Sequence, residues 1–344
     1  MKINLIQPED GAITGPLQKH FLSIEDEIKS NTAGSQAPPL DWENLRVFRE
    51  DRSLPAPSVF RWETDGQPPG KHSYRLYVSE REDFNERTIV RRVSGQSAGV
   101  LHLHTAKRYF WRVEAFRLRR LAGKSPVYSF TTPDRPPRWI RAPGMTNLRD
   151  IGGWPLPGGK RVRQGLIYRG SEMNNRLSVK RSGRRVLVEE LGIRTDLDLR
   201  RDDAAPALDR KLVDWVNIPV LPYAHIFRDE QKAAYRRIFE ELSDRERHPV
   251  IFHCLGGADR AGTLAFLLNA LLGAAYEDLL RDYELTSLSI WGPRTRETPE
   301  FRELVEGLSE YAPGGGINRQ VREYLLSAGA GPGTIEALKE LMIE

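Results

Sequence analysis

Hydrophobic and polar positions alternate through the first third of the chain. In 109–116 (YFWRVEAF), Tyr109, Trp111, Val113 and Ala115 fall on one face, the period-two pattern of a half-buried strand. Residues 58–62 and 74–78 alternate in the same way, 127–131 closes the set, and 3–6 (INLI) adds a first strand. Asp65-Gly66 with Pro68-Pro69-Gly70, Ser94-Gly95 and Ala122-Gly123 separate these runs as turns. Short strands at this spacing predict an all-β sandwich over 1–133. Inside that stretch, Leu17, Phe21, Leu22, Ile24 and Ile28 mark a short amphipathic helix, and 30–39 is expected to be loop.

Pro133, Pro136 and Pro137 make 134–140 an extended, fairly stiff linker. From 141 to 344 the pattern becomes α/β. Strands are predicted at 165–169, 192–199, 215–220 and 250–253, with a helix at 184–191. Helices are predicted at 264–272, 276–287, 298–311, 317–327 and 333–342, so strands come first and helices last around a central sheet.

Composition narrows the class. Of 344 residues, 39% are apolar and 29% charged, the balance of a folded globular protein. A net charge of +5 is too small for this length to imply nucleic-acid binding. No stretch approaches eighteen apolar residues and the N-terminus lacks an apolar signal core, so no membrane insertion and a cytoplasmic location are expected. The single cysteine, Cys254, rules out disulfides within these residues. Seven scattered histidines without a second cysteine form no recognisable metal set.

That cysteine stands where chemistry is expected. The run 250–262, VIFHCLGGADRAG, joins an apolar strand to a helix through a glycine-rich turn. The N–H groups of such a turn and of the first helical turn converge into an anion cradle. Positive potential there favours the thiolate of Cys254, and the planar fork of Arg260 can grip two phosphate oxygens.

His253-Cys254, five residues and then Arg260 resembles the signature loop of the protein tyrosine phosphatases. Residues 147–153 (NLRDIGG), 165–171 (GLIYRGS), 198–200 (DLR) and 282–286 (DYELT) are similar to the bacterial branch that includes the mycobacterial lipid and tyrosine phosphatases. The resemblance runs from about Asn147 to the C-terminus. It implies a central-sheet phosphatase domain that needs no cofactor or metal. The β region is similar to a fibronectin type III-like domain on weaker grounds: an early tryptophan, Trp62, and the strand 109–115.

The resemblance assigns roles residue by residue. Cys254 is the expected nucleophile, forming a phosphocysteine intermediate that water hydrolyses. Arg260 binds phosphate together with the backbone of Leu255, Gly256, Gly257, Ala258 and Asp259. His253, whose side chain alternates away from that of Cys254, is expected to support the loop. Many relatives place an acidic residue about thirty positions upstream of the cysteine, but 220–227 holds no carboxylate before Asp229. Two candidates for the general acid remain open: Asp198, which could instead pair with Arg149 or Arg200, and Asp259. Asp150 and Arg169 are expected to brace the loop or line its mouth. Ala261 stands where relatives carry a hydroxyl, for which Thr263 is the expected substitute. Ala258 stands where lipid-active relatives often carry lysine.

The implied reaction is hydrolysis of a phosphate monoester, in a phosphorylated protein or a small phosphate ester, with phosphotyrosine first. An inositol phosphate or phosphoinositide phosphatase and a phosphate-binding pseudophosphatase are the alternatives. The sandwich is expected to position the catalytic domain or recruit a protein partner.

Overall fold

The computed structural model describes residues 1–14, 51–65, 72–86, 88–201 and 203–344. The helix expected between Leu17 and Ile28, the loop at 30–39 and the turn at 66–70 lie outside them. Contacts divide the chain into two units, Met1–Lys19 with Pro55–Arg135, and His20–Leu54 with Pro136–Glu344. Among the described residues, those at 51–54 group with the second unit. The reason is visible at Ser53, which is buried there: its Oγ lies 3.3 Å from Thr146 Oγ1 and accepts from Asn147 N at 3.0 Å.

The first unit is all-β. A three-stranded antiparallel sheet orders β1 (Ile3–Gln7), β3 (Ser58–Thr64) and β6 (Ser97–Val100) as β1-β3-β6. The second sheet runs β2 (Ala12–Ile13), β9 (Tyr128–Thr131), β7 (Arg108–Arg117), β4 (Ser73–Ser79), β5 (Ile89–Val93), with β8 (Arg120–Lys124) also paired to β7. The expected face of β7 is the buried one: Tyr109, Trp111, Val113 and Ala115 are all in the core with Phe60, Trp62, Leu76 and Phe130. Phe60 meets Trp111 edge-on at 5.1 Å between ring centroids, so both sheets share one apolar filling. Strands β5, β6 and β8 were not legible; β5 and β8 have no fully buried position, and β6 is only four residues long.

The second unit is built on a five-stranded sheet, β10 (Arg149–Asp150), β11 (Ile167–Gly170), β14 (Val250–His253), β12 (Thr195–Asp198) and β13 (Asp214–Asn217), in that spatial order. All neighbours are parallel except β10 with β11. β14 sits in the middle, and Gly170, His253, Asp198 and Asn217 align in register at the carboxyl ends, where parallel sheets place their sites. The helices are α1 (Arg181–Arg185, continued by a wider turn to Glu190), α2 (Asp229–Ser243), α3 (Arg260–Leu272), α4 (Tyr276–Glu284), α5 (Pro299–Ser309), α6 (Ile317–Ser327) and α7 (Pro332–Met342). The expectation that all major helices follow the strands is corrected by α2, which precedes β14. Tyr235, Ile238, Phe239 and Leu242 give it a buried stripe at helical spacing.

The sheet carries a core on each face. Phe252, Cys254, Leu197 and Ile167 belong to the larger one, with the buried sides of α2, α3 and α5 to α7. Ile251 and Tyr168 belong to a second core that includes Leu187 and Ile193. Among the described residues no helix is long and apolar enough to cross a membrane.

Candidate active site

β14 delivers Cys254 directly to the turn that precedes α3, with the side chain 2% exposed. The loop is shaped from outside by its carbonyls. Asn147 Nδ2 donates to Gly256 O at 3.3 Å and Gly257 O at 3.0 Å, Arg169 Nη2 donates to Gly257 O at 2.7 Å, and Glu172 N donates to Leu255 O at 3.0 Å. Because the peptide is planar, carbonyls drawn outward turn the N–H groups the opposite way, toward the inside of the loop. Gly257 has φ +65°, and a Cβ there would lie 2.6 Å from the Gly170 carbonyl, so the close approach requires glycine.

Behind the loop lie two fully buried guanidinium groups. Arg149 Nε donates to Asp282 Oδ1 at 2.9 Å and Arg169 Nη1 donates to Asp282 Oδ2 at 2.6 Å. Arg149 also donates to the Asp282 carbonyl, to Thr286 Oγ1 and, very closely, to Asn147 Oδ1. Burial alone would raise the Asp282 pKa, but the two arginines hold it below the usual carboxylate range. Burial and the neighbouring Arg149 bring Arg169 down to about 10, still charged at neutral pH, while Asp282 and Cys254 act in the opposite direction. One carboxylate serves two cations, which leaves positive charge behind the nucleophile.

His253 faces the other way, as alternation requires. Its Nε2 lies 2.9 Å from Asp196 Oδ1 and 3.9 Å from Asp198 Oδ2. Burial disfavours its charged form, yet the facing carboxylates raise its pKa above the ordinary histidine value. Its support therefore goes to the acidic side of the sheet, and no direct loop hydrogen bond is seen among the described residues.

Asp198 does not reach the mouth. It is fully buried and takes Arg200 Nε at 2.9 Å, Arg200 Nη2 at 2.7 Å and Arg200 N at 3.0 Å. Burial opposes ionisation, but the Arg200 bonds outweigh it and the pKa is lowered. The general-acid expectation for Asp198 gives way to its alternative, the pairing with Arg200, because a sealed, ion-paired carboxylate has no path to a leaving group.

Asp259 is placed at the rim, with its side chain 27% exposed. Its Oδ1 accepts a close hydrogen bond from Tyr223 Oη and one from Arg294 Nε at 2.8 Å. Thr263 Oγ1 accepts from Tyr223 N at 3.0 Å and so anchors the Tyr223 segment. Arg260 is half-buried, and its Nη1 donates to Leu199 O at 3.3 Å, the one bond its guanidinium makes among the described residues. Asp150 is engaged away from the loop. It binds Arg138 at 2.7 Å and accepts from Gly152 N and Gly165 N, bracing β10 and its turn.

Asn147, Asp282, Tyr223 and Arg294 were not singled out beforehand, and Arg149 was named only as a possible partner of Asp198. The signal for Arg149 was available: in the antiparallel β10–β11 pair Arg149 lies opposite Arg169 and Asp150 opposite Tyr168. The loop-facing pair is therefore Arg149 with Arg169, and Asp150 belongs to the other face.

A cysteine at the mouth of a parallel sheet, a glycine-shaped loop and an arginine at the loop's end make up the candidate site. The sequence model of the tyrosine phosphatase family matches residues 140–341. That is more than half of the chain, which belongs to the tyrosine phosphatase family. A Cupriavidus necator protein assigned by name as a tyrosine-protein phosphatase is 30% identical; the match covers 40% of this chain and 59% of that relative. TpbA of P. aeruginosa in complex with phosphotyrosine is 18% identical, covering 48% of this chain and 88% of that one, TM-score 0.32. The core catalytic domain of the PP-IP phosphatase SIW14 of S. cerevisiae is 16% identical over 46% of this chain and 80% of its own, TM-score 0.31. A human fibronectin type III domain is 22% identical over 23% of this chain and 73% of its own, TM-score 0.20.

Proposed function

We propose that the second unit hydrolyses phosphate monoesters through a phosphocysteine intermediate, with phosphotyrosine in proteins as its substrate. The observation that carries this is the sharing of Asp282 by Arg149 and Arg169 behind the Cys254 loop. Excess positive charge in a buried site favours a dianionic ester. Cys254 Sγ attacks phosphorus, Arg260 and the loop N–H groups take up the charge on the non-bridging oxygens, and water then attacks the phosphocysteine. The buried Ala258 adds no cation for a phosphoinositide headgroup, which favours a peptide ester. The first unit is proposed to be a fibronectin type III-like sandwich that recruits a protein partner, a role consistent with its two sheets around Trp62 and Trp111.

The test is turnover of p-nitrophenyl phosphate and a phosphotyrosine peptide by the wild type and by Cys254→Ser, without added metal. Metal-free turnover that vanishes in the serine variant supports the mechanism. A wild type that binds phosphate analogues yet turns nothing over would instead make the domain a phosphate-binding module.

A further inference from the structure

In the first unit, the hairpin of β7 and β8 sets three local preferences aside at once. Its two-residue turn, Leu118 and Arg119, has φ +47° and +67°, left-handed backbone that hairpin turns normally give to glycine, asparagine or aspartate. A bulky side chain is held there against its own preference. Leu118 is 91% exposed and Leu121 58%, and Leu121 stands opposite Phe116, so three apolar side chains gather where the ladder ends. Arg117 and Arg120 are directly opposed, a like-charge pair that weakens a ladder. With Arg119 they place three exposed guanidinium groups at the tip, and among the described residues none of the three meets a carboxylate. The register slips between Ala115 and Phe116, which bends the hairpin, and Ala115 is the last buried residue of β7. All that follows it projects past the core. The cations continue onto the adjoining strands: Arg75 lies over the Phe116 ring at 4.3 Å and stands opposite Arg92 of β5. Glu114, on the other side of Arg75, is taken up by Tyr77 Oη at 2.9 Å and Arg112 Nη2 at 3.5 Å.

We propose that this hairpin docks the protein on anionic phospholipid, with Leu118 and Leu121 as the wedge and Arg117, Arg119 and Arg120 as the headgroup clamp. An anionic bilayer supplies counter-charge to the opposed arginines and takes the leucines into its acyl boundary, while the guanidinium groups stay at headgroup level. A projecting tip encloses no small ligand, and a fluid surface needs no matching cleft. Each cation at such a surface is worth about fivefold in partitioning, so the three together are worth about 100-fold. The docking is peripheral and uses no membrane-crossing segment.

The test is sedimentation of the full chain with phosphatidylcholine vesicles, with and without about one-third phosphatidylglycerol. The expected result is binding to the anionic vesicles alone. Raising salt from about 0.1 M to about 1 M, which shortens the screening length from about 10 Å to about 3 Å, weakens it about tenfold or more. Arg117→Gln, Arg119→Gln and Arg120→Gln together are expected to lower binding about 100-fold. The sharper variant joins Leu118→Asn to Arg119→Gly, the pair that this turn geometry prefers. It is expected to raise Tm while lowering vesicle binding about tenfold or more, so misfolding cannot account for the loss. Anionic vesicles bound equally by that variant, or neutral vesicles bound as well as anionic ones by the wild type, would overturn the proposal. A wild type that ignores both vesicles yet is captured by immobilised polyglutamate would overturn it too, and give the tip to an acidic protein partner. None of these outcomes depends on turnover, so the phosphatase reading and this one fail separately.

Discussion

The two faces of the central sheet carry opposite electrostatics. On the Cys254 side, Arg149 and Arg169 share the carboxylate of Asp282. On the His253 side, Asp196, Asp198 and Glu172 gather around Arg200 and a single imidazole. The two environments belong to consecutive residues of one chain, separated only by the alternation of a strand. Cationic excess lies on the side of the Cys254 loop. Anionic excess lies behind, where it fixes β12 and β14 against each other without drawing charge from the nucleophile.

The largest way to break this contrast is Asp282→Asn. It leaves two buried guanidinium groups with no counter-charge, and removing one partner of a buried ion pair typically costs about 3–5 kcal/mol. For a unit of this size that lowers Tm on the order of 10 °C, measurable by thermal unfolding, with loss of turnover. Asn147→Ala removes the bonds to the Gly256 and Gly257 carbonyls, of which Gly257 keeps its Arg169 donor. Its expected cost is about 1–3 kcal/mol, with steady-state kinetics showing a larger fall in kcat than rise in KM.

The smallest effect belongs to the other face. The pKa of His253 is raised in the folded state, so its contribution is fully present below the unfolded value of about 6.5 and is lost as pH rises through the folded one. Denaturant midpoints followed from pH 6 upward are expected to decline in the wild type and to lose that component in His253→Gln. An unchanged slope in the variant would show that the imidazole stays neutral.

The central strand and the turn that joins Cys254 to Arg260 were legible because glycine-rich turns and β-branched runs are local signals. Arg169 was named as a loop brace from its motif, but Asn147 and Asp282 were not, since the three meet only after β10, β11 and α4 have folded. Asp150 was chosen over Arg149 because its motif was read without the hairpin register that separates their faces. Helix α2 was missed although Tyr235, Ile238, Phe239 and Leu242 spell its stripe; eight of its fifteen residues are charged or amide-bearing and masked the periodicity. The different settings of Asp198 and Asp259 could not come from sequence, because burial and the partner arginine, Arg200 for one and Arg294 for the other, set them apart.

β14 is bonded along both of its edges, to β11 on one side and β12 on the other. Its amide protons can be replaced by deuterium only when the whole sheet opens, whereas those of the outer strand β13 are released by fraying. Cys254 follows β14 with no residue between, so the start of the loop inherits the slowest-exchanging element of the fold. Thermal or chemical stress would then remove competent molecules from the population one at a time, leaving those that remain folded with undiminished turnover.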